Sequence, residues 1–152
     1  MHVSRKADYA VRALSYLAGN PGKRVLISEV AQRMAIPRAF LSKIMKELVE
    51  GGLATSQVGP GGGYSLAAAP SDITFRQILE VVEGTWSLVP CQDGPEDNCI
   101  MLDRCSQVTI WDRIRAEMLS VFDGYSLDDV MTQGLTGAMP IPMPRAPEVT
   151  AP

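Results

Sequence analysis

The chain has 152 residues and only three cysteines, Cys91, Cys99 and Cys105, all within one stretch, CQDGPEDNCIMLDRC. Their spacing is Cys-x7-Cys-x5-Cys, among acidic and loop-forming residues. Three thiols leave at least one unpaired, and a reducing compartment does not preserve a disulfide between the others. Zinc normally takes four protein ligands, often from close cysteine pairs. This chain has no Cys-x2-Cys, and its only histidine, His2, is far away in sequence. A thiol switch uses two cysteines and leaves the third without a role. An iron–sulfur cluster takes thiolates, and a loop with loosely spaced cysteines can wrap around it. On chemistry alone the cluster, zinc and thiol switching stay open. No acid–base pair or nucleophile–histidine arrangement converges, so an enzyme is not expected.

The elements around that loop set its context. Residues 1–70 hold nine Lys/Arg against four Asp/Glu, and residues 71–152 hold five against thirteen, which gives +5 and −8 within the net −3. A basic first half suits a polyanion. No apolar run approaches the ~18 residues of a membrane span. The N-terminal MHVSRKADYAVRAL has an early basic pair but no apolar signal core or cleavage site, so a cytoplasmic location is expected.

Helical spacing of Ala7, Ala10, Val11, Leu14, Leu17 and Ala18, with Ser4 as N-cap, predicts a first helix over 4–18 that GNPG stops. A short helix starts near Ser28, turns Val30, Ala31 and Met34 inward, and breaks at Ala35–Ile36. Pro37 fits the first position of a third helix, over about 37–50. That helix places Leu41, Ile44, Met45 and Leu48 on a core face, and Arg38, Ala39, Ser42, Lys43 and Lys46 on the opposite one. Short helix, turn and basic amphipathic helix read as a helix-turn-helix. The alternative is a plain three-helix bundle with a solvated lysine face. LATSQV (53–58) and YSLAAA (64–69), joined by GPGGG, favour the former, because they read as the hairpin wing of a winged helix. Glycine at such a tip lets backbone N–H groups approach phosphate oxygens.

Thr74-Phe75-Arg76-Gln77 is a capping box, flanked by Ile73 and Ile78 as a hydrophobic staple, and opens a helix that ends at Gly84. Beyond the cysteines, residues 106–123 form an amphipathic helix whose seam is Trp111, Ile114, Met118, Val121 and Tyr125. A seam so narrow suits pairing with a second copy; packing onto the chain's own first helix is the alternative. The Pro-rich segment after Met131 lacks the bulky apolar residues needed to order itself. The fold class expected is mainly α with a small β-hairpin wing. Its divisions are 1–84 for DNA binding, 85–105 for the cysteine loop, 106–131 for dimerisation and a short C-terminal helix, and 132–152 for a disordered tail.

DYAVRALSYLA, ISEVAQRMAIPRAFLSKIMKELVEGGL, GPGGGY and ITFRQILEVVEG, followed by the three cysteines and the long helix, resemble the IscR/NsrR/RirA family of bacterial winged-helix repressors. The resemblance covers about residues 1–131. It implies a homodimeric DNA-binding repressor that recognises a palindromic operator under control of an iron–sulfur cluster, [4Fe-4S] favoured over [2Fe-2S]. It puts Cys91, Cys99 and Cys105 on the cluster. Some relatives add a histidine soon after the third cysteine, but this chain reads Ser106-Gln107-Val108 there. Nitric-oxide-sensing relatives use an aspartate in the first helix of the other subunit, and Asp8 stands at that place. The DNA-contacting set carried over is Arg5, Lys6, Ser28, Arg38, Ala39, Ser42, Lys43 and Lys46, with Gly59, Gly61, Gly62 and Tyr64 of the wing.

Two departures alter the expected readout. Relatives carry an arginine just before the Gly-Pro of the wing, where this chain has Val58, and some carry a glutamate where it has Ser42. The cysteine spacing resembles the iron-responsive and nitric-oxide-responsive branches, with iron the slightly better match. Two rivals stand beside this reading: a cluster-free thiol- or zinc-switched regulator, and a cluster carrier whose winged helix binds protein.

Overall fold

A computed structural model describes residues 3–92 and 104–136, the side chains up to 132. Cys99 and the segment beyond 136 lie outside the described residues, as do His2 and most of the cysteine loop.

The first helix, α1 (Arg5–Ala18), starts because the Ser4 hydroxyl accepts the backbone N–H groups of Lys6 at 3.1 Å and Ala7 at 3.2 Å. Its buried face is Ala7, Ala10, Ala13, Leu14 and Leu17. Three alanines on that face let neighbouring helices approach closely. Next comes α2 (Ile27–Arg33), which buries Val30 and leaves Ala31 and Met34 half-buried. It begins at Ile27 with Leu26 in the cap position, so Ser28 sits inside its first turn. Ala35, at φ 53°, makes the turn that Ala35–Ile36 was expected to make. A left-handed alanine is uncommon; here it follows the end of α2, where the Ile36 N–H donates to the Ala31 carbonyl at 3.0 Å and Ile36 is buried.

Helix α3 (Arg38–Glu50) begins one residue later than expected, with Pro37 as its cap, and buries Leu41, Ile44, Met45 and Leu48. The wing follows as β1 (Ala54–Gln57) and β2 (Gly63–Leu66), antiparallel, with Ala54 opposite Leu66 and Gln57 opposite Gly63. The second strand therefore stops at Leu66, short of the expected 69. Tyr64 also exchanges both backbone hydrogen bonds with Val25, at 2.8 and 2.9 Å, so the wing is rooted in the stretch before α2. Gly63 permits that crossing. Its φ is 145°, and a Cβ there would stand 2.7 Å from the Val25 carbonyl oxygen.

Helix α4 (Phe75–Glu83) has the expected capping box, with both Thr74 and Gln77 bonds made, and ends at Gly84 with φ 83°. Ile73 and Ile78, the staple residues, are both buried.

Helix α5 (Val108–Asp123) is different: none of its sixteen residues is buried. It lies against α4, where Asp123 accepts from Arg76 at 2.9 Å, and just beyond that helix Phe122 meets Trp86 edge-to-face at 5.2 Å. The alternative of packing on α1 is thus replaced by packing on α4. The place on α1 goes to α6 (Leu127–Thr136), whose Leu127 is fully buried. Two backbone bonds fix this return, Phe75 N–H to Tyr125 at 2.9 Å and Leu127 N–H to Ile73 at 2.8 Å. The helix continues to Thr136, past the boundary placed at 131.

Candidate nucleic-acid interface and cysteine loop

The outer face of α3 carries Arg38, Ala39, Ser42, Lys43 and Lys46, all exposed as expected. Their backbone positions follow from the buried Leu41, Ile44, Met45 and Leu48, which lock the rotation of the helix about its axis. Lys46 forms only a loose pair with Glu50, 3.6 Å apart and well exposed, which water and salt weaken. Arg38 and Lys43 make no ion pair among the described residues. The Ser42 hydroxyl donates to the Arg38 carbonyl at 2.9 Å, a local helix bond that takes its proton away from any base.

At the wing, Val58 is 96% exposed, and the tip that follows it, Gly59-Pro60-Gly61, is exposed too. Gly62 is packed so tightly that a Cβ would lie 2.3 Å from the Gln57 carbonyl oxygen. Tyr64 is half-buried against the core with its backbone engaged by Val25. Its position therefore shapes the wing, and little of its backbone is left for DNA.

Lys6 has partners within the fold. Its ammonium lies 2.8 Å from Glu47 of α3 and donates to the Val82 carbonyl at the end of α4. Ser4 also donates to Glu83. Lys6 thus ties three helices together, while its side chain stays partly exposed. Arg5, one residue before it, is exposed and fits the phosphate role expected of it. Lys23 and Arg24 went unnoticed in the sequence because they fall in a turn. They are exposed beside Val25, at the root of the wing, and add positive charge to that face.

Two of the three expected cluster ligands fall within the described residues. Cys91 lies in a single 3-10 turn, Pro90–Gln92, and Cys105 stands just before α5; both are free thiols of intermediate exposure. Gln92 fastens the first of them. Its side-chain oxygen accepts from the Leu88 N–H at 2.8 Å, and its amide donates to Asp112 of α5 at 3.0 Å. The loop is therefore strapped at both ends to the N-terminal part of α5. Free, part-exposed cysteines are donors of the kind a cluster takes, so these two fit one. Asp8 sits in the first turn of α1 and is held by Arg12, at 2.7 and 3.1 Å. Among the described residues no three His, Cys, Asp or Glu gather to hold a metal, so Asp8 does not join Cys91 and Cys105 within one protomer.

Comparison with known proteins decides the family. Residues 3–133 match Rrf2, described as an iron-dependent transcriptional regulator. The chain belongs to the Rrf2 family. It is 29% identical over 132 residues to the transcriptional regulator NsrR of Bacillus licheniformis, covering 86% of this chain and 92% of that one. Among solved structures, CymR, the global cysteine regulator of B. subtilis, superposes with a TM-score of 0.70 at 27% identity, covering 87% of this chain and 97% of CymR. T. potens IscR gives 0.71 at 26% identity, covering 91% of this chain and 92% of that one. The chain is a winged-helix transcriptional regulator and not an enzyme. No helix among its described residues is long and apolar enough to cross a membrane.

Proposed function

We propose that this Rrf2-family protein is a cytoplasmic homodimeric repressor whose operator affinity is set by an iron–sulfur cluster on Cys91, Cys99 and Cys105. One observation carries the reading. Cys91 and Cys105, both free, bracket the segment with Cys99, and both ends of that segment are anchored to α5. When bound, a cluster supplies an iron centre that oxygen, nitric oxide or iron loss can attack. The chain's own residues turn that event into movement. Gln92 transmits a shift of the loop to Asp112, and α5 carries it to the Arg76–Asp123 pair on α4 and to the Trp86–Phe122 contact just beyond that helix. Each protomer lays α3 in one major groove of a palindromic site, so a change in α5 alters the spacing of the two reading heads. Asp8 from the other subunit is the fourth ligand in this reading, after release from Arg12. Iron is the preferred signal and [4Fe-4S] the preferred cluster.

Likeness to CymR favours a second reading, in which the same cysteines act as a thiol switch without metal. Anaerobic purification with iron and acid-labile sulfide assays separates the two. The cluster reading expects a coloured protein with about four irons per chain, and loss of colour in Cys105→Ala. It also expects faster bleaching in Asp8→Ala. A colourless, iron-free protein after reconstitution would return the three thiols to switch or zinc chemistry. Lys43→Glu with Lys46→Glu should abolish operator binding while leaving the iron content intact; retained binding would favour the cluster-carrier role instead.

A further inference from the structure

Phe40 is an anomaly in a well-packed reading head. It is 62% exposed, whereas the chain's other two phenylalanines, Phe75 and Phe122, are both partly buried. It lies in the first turn of α3, and the first turns of a recognition helix are the part that meets base edges. Phe40, Lys43 and Glu47 follow one another at three and four residues, and Glu47 is held by Lys6 of α1. That ridge flanks the outward face and points Phe40 away from the core formed by Leu41, Ile44 and Leu48.

What surrounds Phe40 narrows its task. The exposed residues in the first two turns are Arg38, Ala39, Phe40, Ser42 and Lys43. Asparagine, glutamine, aspartate and glutamate, the side chains that pair with adenine or cytosine edges, are absent from them. Arg38 and Lys43 suit guanine or phosphate, and Ser42 has given its proton to the Arg38 carbonyl. The one apolar group on the major-groove edge is the thymine C5-methyl, and an exposed aromatic ring beside an alanine is the surface that packs on it.

We propose that Phe40 is a specificity-determining residue that covers the methyl group of one thymine in each operator half-site, and so selects A·T at that position. The inference rests on the DNA-binding reading above. Its test starts from duplexes selected from a random library by the full-length protein. Each thymine of a half-site is then replaced by uracil, which removes only the methyl, and affinities are measured for wild type, Phe40→Ala and Phe40→Leu. The expected result is one thymine per half-site where uracil weakens wild type by about fourfold, the effect of one methyl-sized apolar contact. At that position Phe40→Ala binds thymine and uracil equally, and Phe40→Leu keeps part of the difference. An unchanged melting curve for Phe40→Ala separates this from misfolding. If uracil has no effect on wild type at any position, or if its effect survives in Phe40→Ala, the methyl contact is wrong. Phe40 then packs on the DNA backbone or on a second copy. If no duplex is enriched at all, the DNA-binding reading falls, and this inference with it.

Discussion

The reading head and α5 are built on opposite principles. Every buried apolar side chain among the described residues lies between Ala7 and Val82, with Leu127 as the one late addition. Over the same chain, α5 buries nothing, yet exposes Ile110 at 59%, Ile114 at 38% and Val121 at 57%. The first region closes on itself; the second is held by a ring contact, an ion pair and the Gln92–Asp112 bond, and leaves an apolar seam uncovered. A helix in that state reaches full burial only against another surface, and a second copy presents the same seam. The contrast also suits control. A core unit is hard to deform, and a lightly anchored helix beside the cysteine loop is easy to displace.

The contrast breaks most severely at the seam. Ile114→Glu with Val121→Glu should leave the reading head folded by circular dichroism, but halve the mass in sedimentation. Operator affinity should then fall at least about a hundredfold, because the two heads no longer bind as one unit. Unchanged mass would show that α5 is not the pairing surface. In the reading head the reverse holds. Leu14, fully buried at the centre of α1, should cost about 2–5 kcal/mol when cut to alanine, measured by urea unfolding. A seam variant should cost far less on the same scale.

A smaller effect sharpens the division inside the head. Gly63→Ala forces a side chain onto a φ of 145° and toward the Val25 carbonyl. It should destabilise by about 1–3 kcal/mol and weaken DNA binding, with dimer mass unchanged. The smallest effect is at the junction between the two regions. The Ser126 backbone N–H, and then its hydroxyl, hold the Asp129 carboxyl below its ordinary value at the start of α6. A depressed pKa contributes stability above the unfolded value and loses it as pH falls through the folded one. Wild type should therefore lose stability more steeply than Asp129→Asn below about pH 4. Parallel acid unfolding curves for the two would contradict that.

Local signals were legible in the sequence, and long-range ones were not. Ser4, the Thr74–Gln77 box and Gly84 each act within a few residues, and the structure has all of them where they were expected. The core face of α3 was legible for the same reason, because helical spacing alone fixes it. The partners of Lys6, Glu47 and Val82, were not legible, because they are distant in sequence and meet it only in the fold. The exchange of places between α5 and α6 on α1 was equally hidden, since it depends on the backbone bonds between Ile73, Phe75, Tyr125 and Leu127. Phe40 fell between the two faces of a helical projection, so only its exposure in the fold draws notice to it.

The most direct test of the account is operator affinity of the cluster-loaded and the iron-stripped protein, measured anaerobically at one salt concentration. Holding salt fixed matters because phosphate contacts alone change affinity steeply with it. Control by the cysteine loop predicts that the two forms differ at least about tenfold, which is about 1.4 kcal/mol of coupling. It also predicts that Gln92→Ala, which cuts the strap to α5, narrows the gap. Equal affinities for the loaded and stripped forms would contradict it, and would leave the cysteines unconnected to the reading head.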